Sequence, residues 1–198
     1  MTQPAPDPIE LFIELYAQAR KLDPLVIREP NAMTLATTDG SGRPSARLVL
    51  LKGVDVRGFT FYTNLESRKA RDLIANPAAA LCFYWFPLDV QVRVEGSVTQ
   101  VDDEEADEYF ATRPRGSQVG AWASSQSRVI PRAGELEDRV ARYEAEFEGR
   151  DVPRPPYWSG FRVIPQSIEF WRNRANRLHD RVLYTRDGGG WRAETLYP

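Results

Sequence analysis

The sequence predicts an α+β fold in which a mostly antiparallel, closed or partly closed sheet carries inserted helices. Three observations predict it. Short runs of β-branched and aromatic residues recur along the chain between clusters of Gly, Asp and Ser. Four windows space their apolar residues at helical intervals. The chain has no internal repeat or low-complexity tract, and its 198 residues suit one domain, 1–198, with a substantial core.

The elements follow in order. Asp7 can cap a helix at about 8–20: Pro8 suits its first turn, and Ile9, Phe12, Leu15, Tyr16 and Ala19 recur on one face. Residues 33–37 and 46–51 are β-prone and flank Asp39-Gly40-Ser41-Gly42, which predicts a hairpin. A strand at 59–63 follows. Ser67 then caps a helix to about Asn76, with Pro77 as its stop. Strands are expected at 79–86 and 91–99, and helices at 102–111 and 135–147, the last two separated by a polar, arginine-bearing segment at 112–132. Beyond the break at 153–156, strands are expected at 160–163, 167–171, 181–185 and 191–196, the last pair joined by Asp187-Gly188-Gly189-Gly190.

Composition narrows the function classes. The 26 basic and 28 acidic side chains leave a net charge of −2, so no general positive field exists to hold nucleic acid or an anionic membrane. Any anion site must be a local pocket. The lone Cys82 lies in an apolar run and reads as a small buried hydrophobe. With one histidine and one cysteine, a zinc or copper site within a single chain is not expected. No cationic segment followed by an apolar one opens the chain and no stretch reaches membrane-span length, so a cytoplasmic protein is expected.

Two basic clusters carry the chemistry. Arg68 and Lys69 open a predicted helix, where cations are electrostatically misplaced unless an anion binds there, and Arg47 is reachable from the hairpin. Arg113, Arg115 and Ser117, shaped by Pro114 and Gly116 and preceded by Tyr109, offer guanidinium and hydroxyl donors on a turn. Solvated surface charge, or a basic loop satisfying helix carbonyls, would also account for either cluster taken alone. A third segment, 172–181, holds the only histidine, His179, among arginines and asparagines, and reads as a polar loop between strands.

Six blocks in order resemble the pyridoxamine 5′-phosphate oxidase family: Arg47-Leu48-Val49-Leu50-Leu51-Lys52; Phe61-Tyr62-Thr63-Asn64; Ser67-Arg68-Lys69; Arg113-Pro114-Arg115-Gly116-Ser117-Gln118; Gln126-Ser127; and Glu169-Phe170-Trp171 with Arg177-Leu178-His179-Asp180-Arg181. Each is weak alone, and their ordered co-occurrence is a strong signal. The resemblance implies an FMN-binding split β-barrel, mostly antiparallel and Greek-key-like, with peripheral helices. It implies oxidation of pyridoxamine or pyridoxine 5′-phosphate to pyridoxal 5′-phosphate, with oxygen as acceptor and hydrogen peroxide released.

By the same resemblance FMN is held by Arg47, Leu48, Val49, Leu50, Leu51, Lys52, Tyr62, Thr63, Arg68, Lys69, Gln91, Gln126, Ser127, Trp171 and Arg181. Substrate is held by Lys52, Tyr109, Arg113, Ser117, Arg177, Leu178 and His179, with Arg177 and His179 as the catalytic pair, and a homodimer carries flavin between its subunits. The chain departs from the family pattern at Arg172-Asn173-Arg174, where a glycine-containing stretch is expected, and at Thr195, where a cation is. A phenazine-biosynthesis-type flavin oxidase and a non-catalytic flavin-binding protein of the same fold are the alternatives.

Overall fold

The computed structural model describes residues 7–198. Helix α1 (Pro8–Arg20) begins as expected, with the Asp7 carboxylate accepting from the Ile9 amide. The hairpin is β1 (Ala32–Thr38) and β2 (Pro44–Leu50), and it is followed by a short strand absent from the sequence reading, β3 (Gly53–Asp55), then β4 (Gly58–Asn64). Ser67 caps α2 (Arg68–Ala75), its hydroxyl accepting from the Ala70 amide. Strands β5 (Ala78–Trp85) and β6 (Val90–Gln100) precede α3 (Asp103–Ala111), α4 (Arg115–Ala123) and α5 (Glu135–Glu146). The chain closes with β7 (Trp158–Arg172), β8 (Asp180–Asp187) and β9 (Gly190–Thr195).

All strand pairs are antiparallel, in the order β2-β1-β5-β6-β7-β4-β3, with β8 and β9 branching from β7. Two expectations need correction here. The strands expected at 160–163 and 167–171 are one fifteen-residue strand, β7. Pro165 does not break it, because the register against β6 shifts there: Gly96 faces Pro165, Glu95 faces Ser167, and Gln166 is the bulged residue. The other edge of β7 changes partner at the same place, from β4 along residues 158–163 to β8 along 167–172, so the proline lies where no ladder needs its missing N–H. The segment 112–132, expected to be irregular, contains α4.

The curled sheet wraps its apolar face around α1. Phe12 is fully buried, with ring centroids 4.8 Å from both Phe59 and Phe83 and 5.6 Å from Trp85. A second, smaller core joins α3, α4 and α5 to the start of β7 through Phe110, Val119, Phe147, Val152 and Trp158. Between these two cores a cleft opens.

Candidate active site

The cleft has a volume of about 660 Å³. Leu48, Val49 and Leu50 enter from β2, Lys52 from the turn that follows, Tyr62 and Thr63 from β4, and Lys69 from α2. Tyr109 of α3, Arg113, Ser117 of α4 and Gln126 close the other side. All of these were selected from sequence. Asn64, Thr112, Gly120, Ser124 and Trp158 also line it and were not.

One end is cationic. Lys69 Nζ donates to Gln126 Oε1 at 2.8 Å and Thr63 Oγ1 at 3.1 Å and has no carboxylate partner among the described residues. Burial, and secondarily the charge of Arg47, pushes its pKa down to about 8. Arg47 of β2 does not line the cleft but lies close enough to Lys69 to bear on its charge, donating to the carbonyls of Leu35 and Ser45 and the hydroxyls of Thr37 and Ser45. Burial lowers its pKa, and the neighbouring Asp72 opposes that shift. The first turn of α2 contains no acidic residue, so its dipole and both its cations are directed at whatever occupies this end. Arg68 and Ser127 do not line the cleft; they are exposed next to the lining residues Lys69 and Gln126, the Arg68 amide donating to Ser127 Oγ at 3.4 Å.

The other end is aromatic. Tyr62 stacks on Tyr109 with centroids 4.0 Å apart and planes 15° apart, and on Trp158 at 5.4 Å and 8°. This packing needs Gly160, because a Cβ there would fall 2.8 Å from the Tyr62 ring. Burial, then the charge of Glu105, pushes the Tyr62 hydroxyl up to about 12, so it stays a protonated donor at neutral pH. The Arg113 guanidinium lies over Trp158, 4.6 Å from the ring centroid, and its Nη1 is buried with no hydrogen-bond partner among the described residues. A buried guanidinium nitrogen without an acceptor is costly unless a ligand supplies one. Arg115 does not join it: as the first residue of α4, it donates to the carbonyls of Arg150 and Phe147 instead.

The remaining selected residues lie elsewhere. Leu51 is in the core. Gln91, Trp171 and Arg181 form one cross-strand row with Tyr84, through the pairs Tyr84↔Gln91, Gln91↔Trp171 and Trp171↔Arg181, on the face of the sheet away from α1. Arg181 Nε donates to the buried Glu169 at 2.7 Å. The His179 ring sits 4.4 Å from that of Trp171, and its Nδ1 accepts from the Arg174 amide at 3.2 Å. Arg177 and Leu178 are exposed, and Asn176 and Arg177 both adopt positive φ. The residues that depart from the family pattern are engaged here: Asn173 bonds Asp89, and Arg174 pairs with Asp180 at 2.7 Å. Trp158 lines the cleft, whereas Trp171 stands near the far end of β7, about 40 Å along an extended strand. One copy of the chain therefore separates the cleft from the His179 loop.

Residues 21–147 match the family described as pyridoxamine 5′-phosphate oxidase, and residues 158–198 match the one described as the pyridoxine 5′-phosphate oxidase C-terminal dimerisation region. The chain belongs to the pyridoxamine 5′-phosphate oxidase family. A pyridoxine/pyridoxamine 5′-phosphate oxidase of Myxococcus xanthus is 58% identical over 193 residues, covering 98% of this chain and 92% of the relative. The one from Rubrobacter xylanophilus is also 58% identical, covering 98% and 88%. Among solved structures, PhzG from Burkholderia lata, in complex with tetrahydrophenazine-1-carboxylic acid, superposes with a TM-score of 0.91 at 33% identity, covering 99% of this chain and 95% of that one. A pyridoxamine 5′-phosphate oxidase-related, FMN-binding protein from Nostoc punctiforme gives 0.76 at 20% identity over 98% and 100%, a likeness of fold. The fold is the split barrel of this family.

Proposed function

We infer that the chain is a pyridoxine/pyridoxamine 5′-phosphate oxidase: an FMN-dependent enzyme that oxidises either phosphate ester to pyridoxal 5′-phosphate with oxygen as acceptor. The observation that carries this reading is the cleft's two anion-seeking ends, Lys69 without a carboxylate and Arg113 with a partnerless buried nitrogen. A phosphorylated coenzyme and a phosphorylated substrate satisfy both.

The donor set fits FMN. Lys69, with Arg47 and Arg68 beside it, would hold its phosphate, while the backbone from Leu48 to Leu50 in β2 and Leu51 just beyond it, with Lys52, Tyr62, Thr63, Gln126 and the neighbouring Ser127, would hold the rest from this side. FMN, when bound, supplies the two-electron redox chemistry. Lys52, Tyr109, Arg113 and Ser117 anchor the substrate phosphate and fix the orientation of its ring.

The other half of the site comes from a second copy. The row Gln91, Trp171 and Arg181 and the loop Arg177-Leu178-His179 lie too far along β7 to reach their own cleft, which supports a homodimer with flavin between the subunits. In that arrangement Arg177 and His179 face the substrate ring. Because His179 Nδ1 accepts from a backbone amide, the proton of the neutral imidazole is on Nε2, so His179 offers the substrate a hydrogen-bond donor.

A phenazine-type oxidase is the second reading, favoured by the PhzG superposition. An unphosphorylated substrate leaves Arg113 Nη1 without an acceptor, which favours the phosphate ester. Purified protein mixed with FMN and pyridoxamine 5′-phosphate in air is expected to yield aldehyde and peroxide. Tightly bound FMN without product overturns the enzyme reading, and turnover of unphosphorylated pyridoxamine at an equal rate overturns the role of Arg113.

A further inference from the structure

We propose that Asp72 and Thr37 form a relay that orients Arg47, locking the β2 arm of the cationic end of the cleft to helix α2. The proposal rests on the reading that this end takes the phosphate of FMN. Asp72 and Thr37 are buried behind the cleft, on α2 and β1, and Arg47, which is not among its lining residues either, stands between them and Lys69, whose charge it affects.

The direction of the relay follows from its chemistry. A carboxylate only accepts, so the single hydroxyl proton of Thr37 goes to Asp72 Oδ2, at 2.7 Å. That leaves the lone pairs of Thr37 Oγ1 for Arg47, whose Nη1 donates to it at 2.7 Å. The direct approach of Arg47 Nη2 to Asp72 Oδ2 is 3.6 Å, beyond hydrogen-bond range, so charge attraction acts there while the geometry is set through the hydroxyl. An amide in place of the carboxylate can donate to Thr37, reverse its hydroxyl and turn a proton toward Arg47.

Two consequences make this a device for the phosphate. Asp72 sits three residues after Lys69 on the same helix, so the helix that presents one cation also holds the other in place. Arg47, Arg68 and Lys69 repel one another, and the one carboxylate leaves this group with a net charge of +2 when Lys69 is protonated, close to the opposite of a phosphomonoester's −1.5 to −2 or so. Asp72 is thus a positioning residue for the cofactor phosphate, acting through Thr37 and Arg47.

The test is the preference for FMN over riboflavin, which lacks the phosphate, measured by quenching of flavin fluorescence on full-length protein freed of flavin. Wild type is expected to prefer FMN, Asp72→Asn and Thr37→Val to lose at least about tenfold of that preference with riboflavin affinity unchanged, and Thr37→Ser to retain it. Unchanged preference in Asp72→Asn and Thr37→Val overturns the relay. So does an equal loss for both flavins, which marks a merely structural role. If Asp72→Asn does not fold, as thermal melting would reveal, the Thr37→Val and Thr37→Ser pair decides alone. A wild type without preference for FMN instead overturns the underlying reading of this end of the cleft, and the relay's purpose falls with it.

Discussion

Arg113 lies over Trp158, its guanidinium carbon 4.6 Å from the ring centroid, and the contact holds its buried Nη1 where no acceptor among the described residues reaches. An arginine fixed this way is preorganised for an incoming anion. Arg113→Ala is expected to raise KM for pyridoxamine 5′-phosphate by about 10- to 100-fold, the range of a lost charge-assisted hydrogen bond, with FMN affinity unchanged. Trp158→Leu keeps the charge but frees it, and should raise KM several-fold. Initial rates at saturating FMN check both, and a fall in kcat alone would contradict them.

Lys69 gives the cationic end a pH dependence. Its pKa in the fold is about 8, against 10.5 for an unhindered lysine, so between these values the unfolded chain binds the proton more strongly. The sign is therefore that flavin-free protein gains stability from this group as pH rises from about 8 toward 10.5, since the buried charge is shed. Affinity for the FMN dianion runs the other way and should fall as pH passes 8, by up to about tenfold per unit from this one group. Titrations from pH 7 to 10 or so should show this in wild type and not in Lys69→Arg, whose charge persists.

How far this was legible in the sequence depended on what each residue had to satisfy. Lys69 and Arg113 stand out because clustered donors imply an anion, Lys52 and Tyr62 come only with the family resemblance, and the fold brings all four into one cleft. Trp158 and Asp72 were missed for a shared reason: each acts by holding another side chain, and neither has a local pattern that reveals its partner. Helix α4 was missed because Gly116 and Gly120 and its polar residues dilute its apolar spacing, and its buried face is only Val119 and Ala123. Residues 160–163 and 167–171 read as two strands because sequence does not show that β7 continues through Pro165 and changes partners there. The separation of the His179 loop from the cleft was equally hidden, since it depends on the length of one strand.

The face of the sheet away from α1 is the surface on which two copies are expected to meet. On β2, β1 and β5 one of its rows is small, Ala46, Ala36 and Ala80, and it runs on to Glu95 of β6; the exposed Leu48 and Tyr84 lie on neighbouring rows. Ala80→Arg, which places a long cation on that face, is expected to give monomers by sedimentation velocity and, on the proposal that each cleft takes Gln91, Trp171 and Arg181 from a second copy, to release FMN. A monomer that keeps its yellow colour would show the flavin site to be complete within one chain.

His179 provides the sharpest separation between a donor and a base. Its Nδ1 accepts from the Arg174 amide, and Arg174 is itself tethered to Asp180 at 2.7 Å, so the ring is held with Nε2–H free to point outward. Glutamine can place an amide N–H near the position of Nε2 but has no basic lone pair there. If His179 orients substrate by donating, His179→Gln should keep kcat within about tenfold of wild type while His179→Ala falls by about 100-fold, the scale of a lost acid–base or positioning contact. If the ring removes a proton, both variants should fall together, and single-turnover rates of flavin reduction in the absence of oxygen distinguish these outcomes.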